Sequence, residues 1–416
     1  MRRIAAHLTS SARMCNVRDL GPMIWLGLFL DPAPVIGGSN APAGQWPDVA
    51  AVLYKQTDGT DQQMCTGTLV APTVVLTAGH CDPALDPQIG VLDNVLLGTT
   101  SLARPQDGET VPVASVHQYP SSQSSEDVTV LVLARPAVEV PRAIATGWAR
   151  LDIQNGASVE FVGYGAIDMN GNTYIDALQD AQSTITDFDC SKMPGCNTAA
   201  RPDGELGAGG MGIDTCPGDS GGPMYLLTSY GSLLAGVTSR GYDNSQFACS
   251  EGGIYERPDK IVDWIEQVAG VKVTHGPEPT APPITAVHGG AGETLIEAND
   301  PKATDHTFAI MTPPVHGTAK VRSDGRVRVC TDASATGSDA VTVKVADGAR
   351  AVETTIPITI ADGTAPASCD VNAFSVGEDG GGCCSTSGGG TGSIPIALGV
   401  LAVVIRSRRG RNLAEV

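Results

Sequence analysis

Residues Asp214 to Pro223 read DTCPGDSGGP. A serine set between an acidic residue and glycines can sit on a tight turn, with its hydroxyl exposed and the preceding backbone N–H groups converging on the place where an oxyanion would rest. A hydroxyl is a poor nucleophile near neutral pH, so such a turn also needs an imidazole to take the proton and a carboxylate to hold that imidazole in the right tautomer. The chain supplies both. Among seven histidines, His80 alone stands in a string such as LTAGHC (Leu76 to Cys81), at the end of a strand pattern and beside a cysteine that can pin it. His117, His275, His288, His306 and His316 lie in polar or Pro/Gly-rich surroundings and read as solvated surface groups. Asp127 opens DVTVLVL, which puts a carboxylate at the head of a buried strand, where it needs a hydrogen-bonding partner to offset desolvation. His80 is the candidate partner.

Taken together, these residues resemble the trypsin-like branch of the chymotrypsin-family serine endopeptidases. The resemblance covers roughly residues 35 to 269, and the order His80, Asp127, Ser220 is that family's order and not that of subtilisins or α/β-hydrolases. Further strings agree: VIGG (Val35 to Gly38) is similar to the mature N-terminus, CTGTLV (Cys65 to Val70) to the strand before the histidine, GYG (Gly163 to Gly165) to the central strand, and GVTSRG (Gly236 to Gly241) to the substrate-binding strand. The resemblance implies an all-β fold of two six-stranded barrels with a C-terminal helix. It makes His80 the general base and later acid, Asp127 its orienting acid and Ser220 the nucleophile, with the N–H groups of Gly218 and Ser220 forming the oxyanion hole. Asp219 matches the residue that pairs with the freed α-ammonium of Val35 after processing, so the uncut chain is expected to be largely latent.

By the same resemblance, Asp214, six residues before Ser220, stands at the base of the primary specificity pocket, with Ser239 and Gly241 on the substrate-binding strand. A carboxylate at the bottom of a narrow slot is costly unless a cation fills it, and Gly241 and Gly253 leave the walls open to a long side chain. Cleavage after Arg or Lys is expected. Residues 35 to 272 carry 11 basic against 28 acidic side chains, a net −17 whose wider field also attracts basic substrates. Cys65 with Cys81 and Cys216 with Cys249 match the family's disulfides around the histidine and the specificity pocket. Cys190 with Cys196 reads as a local pair in preference to a metal site, because no second pair of ligands accompanies it. Cys330 with Cys369 is a guess, and Cys383 and Cys384 stay unassigned. The loop Asp168 to Asn172 (DMNGN) reads as a hairpin turn and not as a calcium loop, since its glycine is misplaced and no bidentate Glu follows. Neither metal nor cofactor is expected.

Composition bounds the remainder. The chain has 416 residues, 42% apolar and 17% charged, which describes a soluble globular protein of two or three domains. Fifty Gly and 28 Pro against 4% aromatics favour many turns and short strands over a helix-rich fold. The formal net charge of −19 argues against unaided binding to nucleic-acid phosphates. Eleven cysteines point to an oxidising, extracytoplasmic compartment.

The domain organisation follows from shifts in pattern. Residues 1–34 hold Arg2, Arg3, Arg13 and Arg18 ahead of an apolar run from Leu20 to Leu30, the length of a signal-peptide core. Residues 35–274 form the protease-like domain, with strands in Gly67 to Ala78, Val128 to Ala134 and Leu233 to Thr238. A helix carries Ile261, Val262, Ile265 and Val268, with Asp259 capping its start and Gly270 ending it. Residues 275–285 hold four prolines and read as an extended spacer. Residues 286–362 alternate in RVRV, VTVKV and TTIPITI, the pattern of a small antiparallel β-sandwich, and resemble bacterial Ig-like or cadherin-like surface repeats. A Gly-rich stretch, 363–393, precedes residues 394–416, whose apolar run and four arginines resemble a MYXO-CTERM-type sorting tail. That resemblance implies bacterial surface display, with the tail in the membrane.

Four features depart from the family pattern. Pro34 precedes Val35, which does not suit a trypsin-like activating cut. Arg240 stands where an aromatic often flanks substrate backbone and is expected to disfavour basic residues further along the substrate. Pro217 precedes the oxyanion glycine, and the stretch from Cys196 to Cys216 is longer than usual. The rival to a secreted or surface-held endopeptidase is a non-catalytic adhesion protein on a protease fold, whose Ig-like domain binds a polymer or another protein.

Overall fold

The computed structural model describes residues 35–84, 90–120, 127–197, 204–364, 366 and 368–375. The apolar run at 20–30, Cys383, Cys384 and the tail from 394 lie outside them. A short β1 (Ser39–Asn40) precedes the first barrel, which consists of β2 (Val49–Lys55), β3 (Asp61–Ala71), β4 (Val74–Thr77), β5 (Val91–Leu97), β6 (Glu109–Gln118) and β7 (Thr129–Leu133) and closes in the order 2-3-4-7-6-5. After α1 (Gly147–Arg150), the second barrel uses β8 (Ser158–Gly163), β9 (Gln179–Asp187), β10 (Glu205–Ala208), β11 (Pro223–Thr228), β12 (Gly231–Gly241) and β13 (Gly253–Glu256). It runs 9-10-13-12-11-8 and closes through β8 on β9, with β1 added beside β9. The helix α2 (Val262–Ala269) follows.

Period-two alternation explains why strands such as TVLVL are apolar at nearly every position. In β4 and β7, Val75 and Leu131 point into the first barrel with Leu69, Val95 and Leu97. Val74, Leu76 and Val130 point outward and meet Val162, Leu234 and Val237 of the second barrel and Ile265 of α2. Both faces of these strands are therefore core, so an apolar residue is needed on each side. Burying each such side chain contributes about 1.5–3 kcal/mol.

Gly270 ends α2 as expected, with φ of 68° and its N–H bonded to Glu266 O. Asp259 does not cap the helix: its carboxylate is taken by Arg257 Nε at 2.8 Å and by Arg150 Nε at 2.9 Å. A buried carboxylate gains more from two guanidinium partners than from one helix amide.

The second domain places β14 (Ile284–Val287), β20 (Arg350–Ala361), β19 (Gly337–Asp347) and β16 (Thr307–Thr312) in one sheet, and β15 (Ala291–Leu295), β18 (Arg326–Thr331) and β17 (Gly317–Val321) in the other. Its pairs are antiparallel except β14 with β20, which is parallel, so the sandwich departs there from the all-antiparallel expectation. Parallel neighbours need a long crossover, and here nearly the whole domain intervenes between first and last strand.

Residues 275–285 are extended, yet they do not stand off as a spacer. Gly276 N donates to Ile144 O at 2.8 Å, Pro277 O accepts from Trp148 N at 2.8 Å, and Thr280 pairs with Glu297. Trp148, from α1, is fully buried in the second domain's core with Ile284, Val327 and Val341, and its indole N–H donates to Ala298 O at 2.7 Å. His306, expected at the surface, has a side chain only 7% exposed and stacks at a tilt on Trp148, 5.8 Å between ring centroids. His275 is likewise held, between Glu266 at 2.9 Å and Glu278 at 3.1 Å. Both histidines sit at a junction that sequence composition does not reveal.

Candidate active site

Strand pairing assembles the first half of the site. Thr77 of β4 lies opposite Thr129 of β7, so the 3-10 turn after β4 (Gly79–Cys81) arrives beside Asp127, two residues before β7. A Cβ on Gly79 would come 3.0 Å from Asp127 Cα, which keeps this position small. As a result, Asp127 Oδ1 accepts the backbone N–H of His80 at 2.7 Å while Oδ2 lies 2.8 Å from His80 Nδ1. Ser239 Oγ donates to the same Oδ2 at 2.7 Å. Burial alone would raise the Asp127 pKa, but the His80 bond and charge, then Ser239 and the backbone amide, hold it below the usual carboxylate range. For the half-exposed His80, burial pulls the imidazole down, and the bond to Asp127 with its charge outweighs that and raises it.

Ser220 lies on the turn before β11. Its carbonyl accepts Thr66 N of β3 at 2.8 Å, and Cys81 Sγ, next to His80, is 3.8 Å from that oxygen. Gly218 has φ of +98°, which a side chain would strain, and a Cβ there would meet Gly165 Cα at 3.0 Å. Its carbonyl accepts Gln63 Nε2 at 2.9 Å and Thr66 Oγ1 at 2.8 Å. A cleft of about 530 Å³ adjoins Gly218, lined by Gln63, Met64, Tyr174 and Asp176. Pro217 fits this turn, its carbonyl accepting Ala166 N at 2.9 Å.

Asp219 is fully buried, with Oδ1 on Gly165 N at 2.7 Å and Oδ2 on Cys216 N at 2.9 Å. Burial pushes its pKa up to about 7 against those two amides. Val35 packs into the second barrel's core with φ of 29°, unusual for a β-branched residue. Asp214 is 2% exposed and accepts N–H groups from Thr215 at 2.8 Å, Ser250 at 2.9 Å and Gly252 at 3.0 Å. Burial again dominates and raises it to about 6. A Cβ on Gly253 would stand 3.5 Å from Asp214 Oδ1, whereas one on Gly241 would meet only Ala248 O, at 3.8 Å. On Gly253 that Cβ would also press Arg240 O at 3.1 Å, which keeps this position small.

Disulfides join Cys65 to Cys81, Cys190 to Cys196, Cys216 to Cys249 and Cys330 to Cys369. Asp168 turns a loop on itself, accepting Asn170 N and Asn172 N at 3.0 Å each.

Two residues that no motif singled out complete the surroundings. Glu205 and Glu256 have fully buried side chains, and Glu205 holds Arg240, with Nη1 at 2.8 Å from Oε1 and Nη2 at 2.9 Å from Oε2. Arg240 is therefore paired with Glu205. A glutamate inside the otherwise apolar strand GIYE was the available signal, since a buried charge demands a partner.

The double barrel and this site define a serine endopeptidase, a hydrolase of peptide bonds. Residues 35–265, over half the chain, match the family model described as Trypsin, and the chain belongs to that family. Residues 277–361 match the model for a bacterial Ig domain. Brachyurin of Leptuca pugilator is 31% identical over 249 residues, covering 57% of this chain and 99% of brachyurin. Serine protease snk of Drosophila melanogaster is 28% identical over 301 residues, covering 63% of this chain and 61% of the length of that relative.

Proposed function

We propose that the chain is an extracytoplasmic endopeptidase that cleaves after Arg or Lys through an acyl-enzyme. His80 takes the Ser220 proton as Oγ attacks the scissile carbonyl, Asp127 stabilises the imidazolium that forms, and the N–H groups of Gly218 and Ser220 receive the oxyanion. His80 then gives its proton to the leaving amine, and water hydrolyses the ester by the same steps in reverse. The observation that carries this reading is the double grip of Asp127 on the ring and backbone of His80, which reserves Nε2 for the serine.

Asp214 supports the preference for a cationic side chain. Among the described residues its carboxylate is buried with backbone amides but no cation, and a guanidinium or ammonium entering past Gly241 and Gly253 would relieve that cost. Asp219 awaits a cation in the same sense. Cleavage before Val35 would free its strained φ and supply an α-ammonium to that carboxylate. The disulfides support an oxidising compartment. The Ig-like domain is the candidate for holding the enzyme near a surface or substrate, and the tail at 394–416, outside the described residues, for anchoring it.

A fluorophosphonate probe and an arginine ester test the reading on chain processed to begin at Val35. Labelling and ester hydrolysis are expected in the parent, and both are lost in Ser220→Ala. A processed parent that neither labels nor hydrolyses the ester overturns it in favour of a binding protein.

A further inference from the structure

Behind the catalytic carboxylate lies an arrangement of charges that the steps above do not use. Arg240 Nη1 donates to Ser239 Oγ at 3.2 Å, and that hydroxyl donates to Asp127 Oδ2 at 2.7 Å. Arg240 Nη2 donates to Gly195 O at 3.0 Å, within the loop closed by Cys190 and Cys196. Glu256 Oε1 accepts the backbone N–H of Asp127 at 3.3 Å and lies 4.0 Å from Arg240 Nη1. Glu205 is held in turn by Asn197 N at 3.0 Å. The three carboxylates of Asp127, Glu205 and Glu256 thus share one guanidinium, which comes from a position where an aromatic would carry no charge.

We propose that Arg240 is a positioning residue of the proton-transfer pair, clamped by Glu205 so that its cation aligns Ser239 on Asp127 and offsets the negative field behind His80. The proposal rests on the reading of His80, Asp127 and Ser220 as the catalytic set. Burial and then the Glu205 charge raise Glu256 above the usual carboxylate range. Burial pulls the Arg240 pKa down, and the bond and charge of Glu205 outweigh that and raise it. The close ion pair is Arg240 with Glu205, at 2.8 and 2.9 Å, against 4.0 Å from Arg240 to Glu256. Removing the cation leaves Glu205 to favour the imidazolium, and removing the anion leaves Arg240 to disfavour it. Other ionisable groups nearby are Asp243, against Gly195 whose carbonyl accepts from Arg240, Tyr54, whose hydroxyl bonds Cys81 O, Asp82, two residues after His80, and Asp219, beside Ser220, whose carboxylate is taken by the Gly165 and Cys216 amides.

The test is an NMR titration of ¹³C-histidine-labelled full chain in a Ser220→Ala background, with the His80 signal assigned by its loss in His80→Gln. Arg240→Gln should raise the His80 midpoint by about half a unit or more, and Glu205→Gln should lower it. Arg240→Lys, which keeps the charge, should restore the parent midpoint. Midpoints that stay together in folded Arg240→Gln and Glu205→Gln, or that move the same way, overturn the proposal. If Arg240→Gln does not fold, the sign of the Glu205→Gln shift decides by itself. In the active chain the acid limb of kcat/KM should follow the NMR midpoint. Because the titration needs no turnover, failure of the catalytic reading appears separately, as absence of probe labelling in the processed parent.

Discussion

The carboxylate beside His80 and the two beneath the Ser220 turn are buried in the same domain, yet they are satisfied in opposite ways. Asp127 meets an imidazole, a hydroxyl and a backbone amide, and is held below its ordinary range. Among the described residues, Asp214 and Asp219 meet backbone amides alone and are held above it, near 6 and 7. Amide dipoles return only part of the solvation that burial removes, whereas a partner able to carry positive charge returns more. The first region is complete within the folded chain. The second is two cations short, and the proposed function supplies both: one from the substrate and one from a new N-terminus.

The largest effect that would break this contrast belongs to Asp127. Asp127→Asn should keep the fold but let the wrong His80 tautomer dominate, lowering kcat by about 10⁴-fold in the arginine-ester assay. A loss under tenfold would show that the carboxylate is not what completes the first region. Next is Asp214→Ser, which should lower kcat/KM for arginine substrates by about 10²–10³-fold, the scale of removing one member of a buried charge pair, while fluorophosphonate labelling of Ser220 persists. Retained arginine preference would refute the pocket assignment.

The smallest effect is on stability, and its sign separates the regions. Asp127 has a depressed folded pKa, so its contribution is present above its unfolded value and lost as acid passes through the folded one. Asp219 has a raised folded pKa. Its ionisation therefore costs the uncut chain stability as pH rises from the unfolded value of 3.8 towards about 7. Each unit of that titration is worth on the order of 1 kcal/mol. His80, also raised, loses its contribution on passing its folded pKa, so only a variant isolates the pocket. Thermal melts of uncut Ser220→Ala chain between pH 5 and 7.5 should show a decline in Tm that Asp219→Asn flattens. An unchanged slope would remove Asp219 from the set of carboxylates lacking a cation.

Much of the site was legible because its chemistry is local. Gly218 and Ser220 sit on one turn whose geometry follows from a few glycines, and DVTVLVL announces a carboxylate leading a buried strand. The strands and α2 followed from apolar spacing and from Gly270. Asp259 was read as a helix cap, but Arg257, two residues earlier, grips its carboxylate at 2.8 and 2.9 Å, and Arg150 joins from 109 residues away, a partner that no local pattern announces. The partner of Arg240 was not legible in the sequence, since Glu205 comes from another strand. Trp148 carried no signal at all: in the second domain's core it fills a place beside residues more than 130 positions further on.

By itself the sequence determined which groups could act and in what order they occur, because nucleophile, base and acid are residue types placed in short strings that bias their own turns. Only the tertiary structure decided how each buried charge is balanced. Electrostatic partners are chosen by distance across strands, and barrel closure brings together residues that the chain keeps far apart.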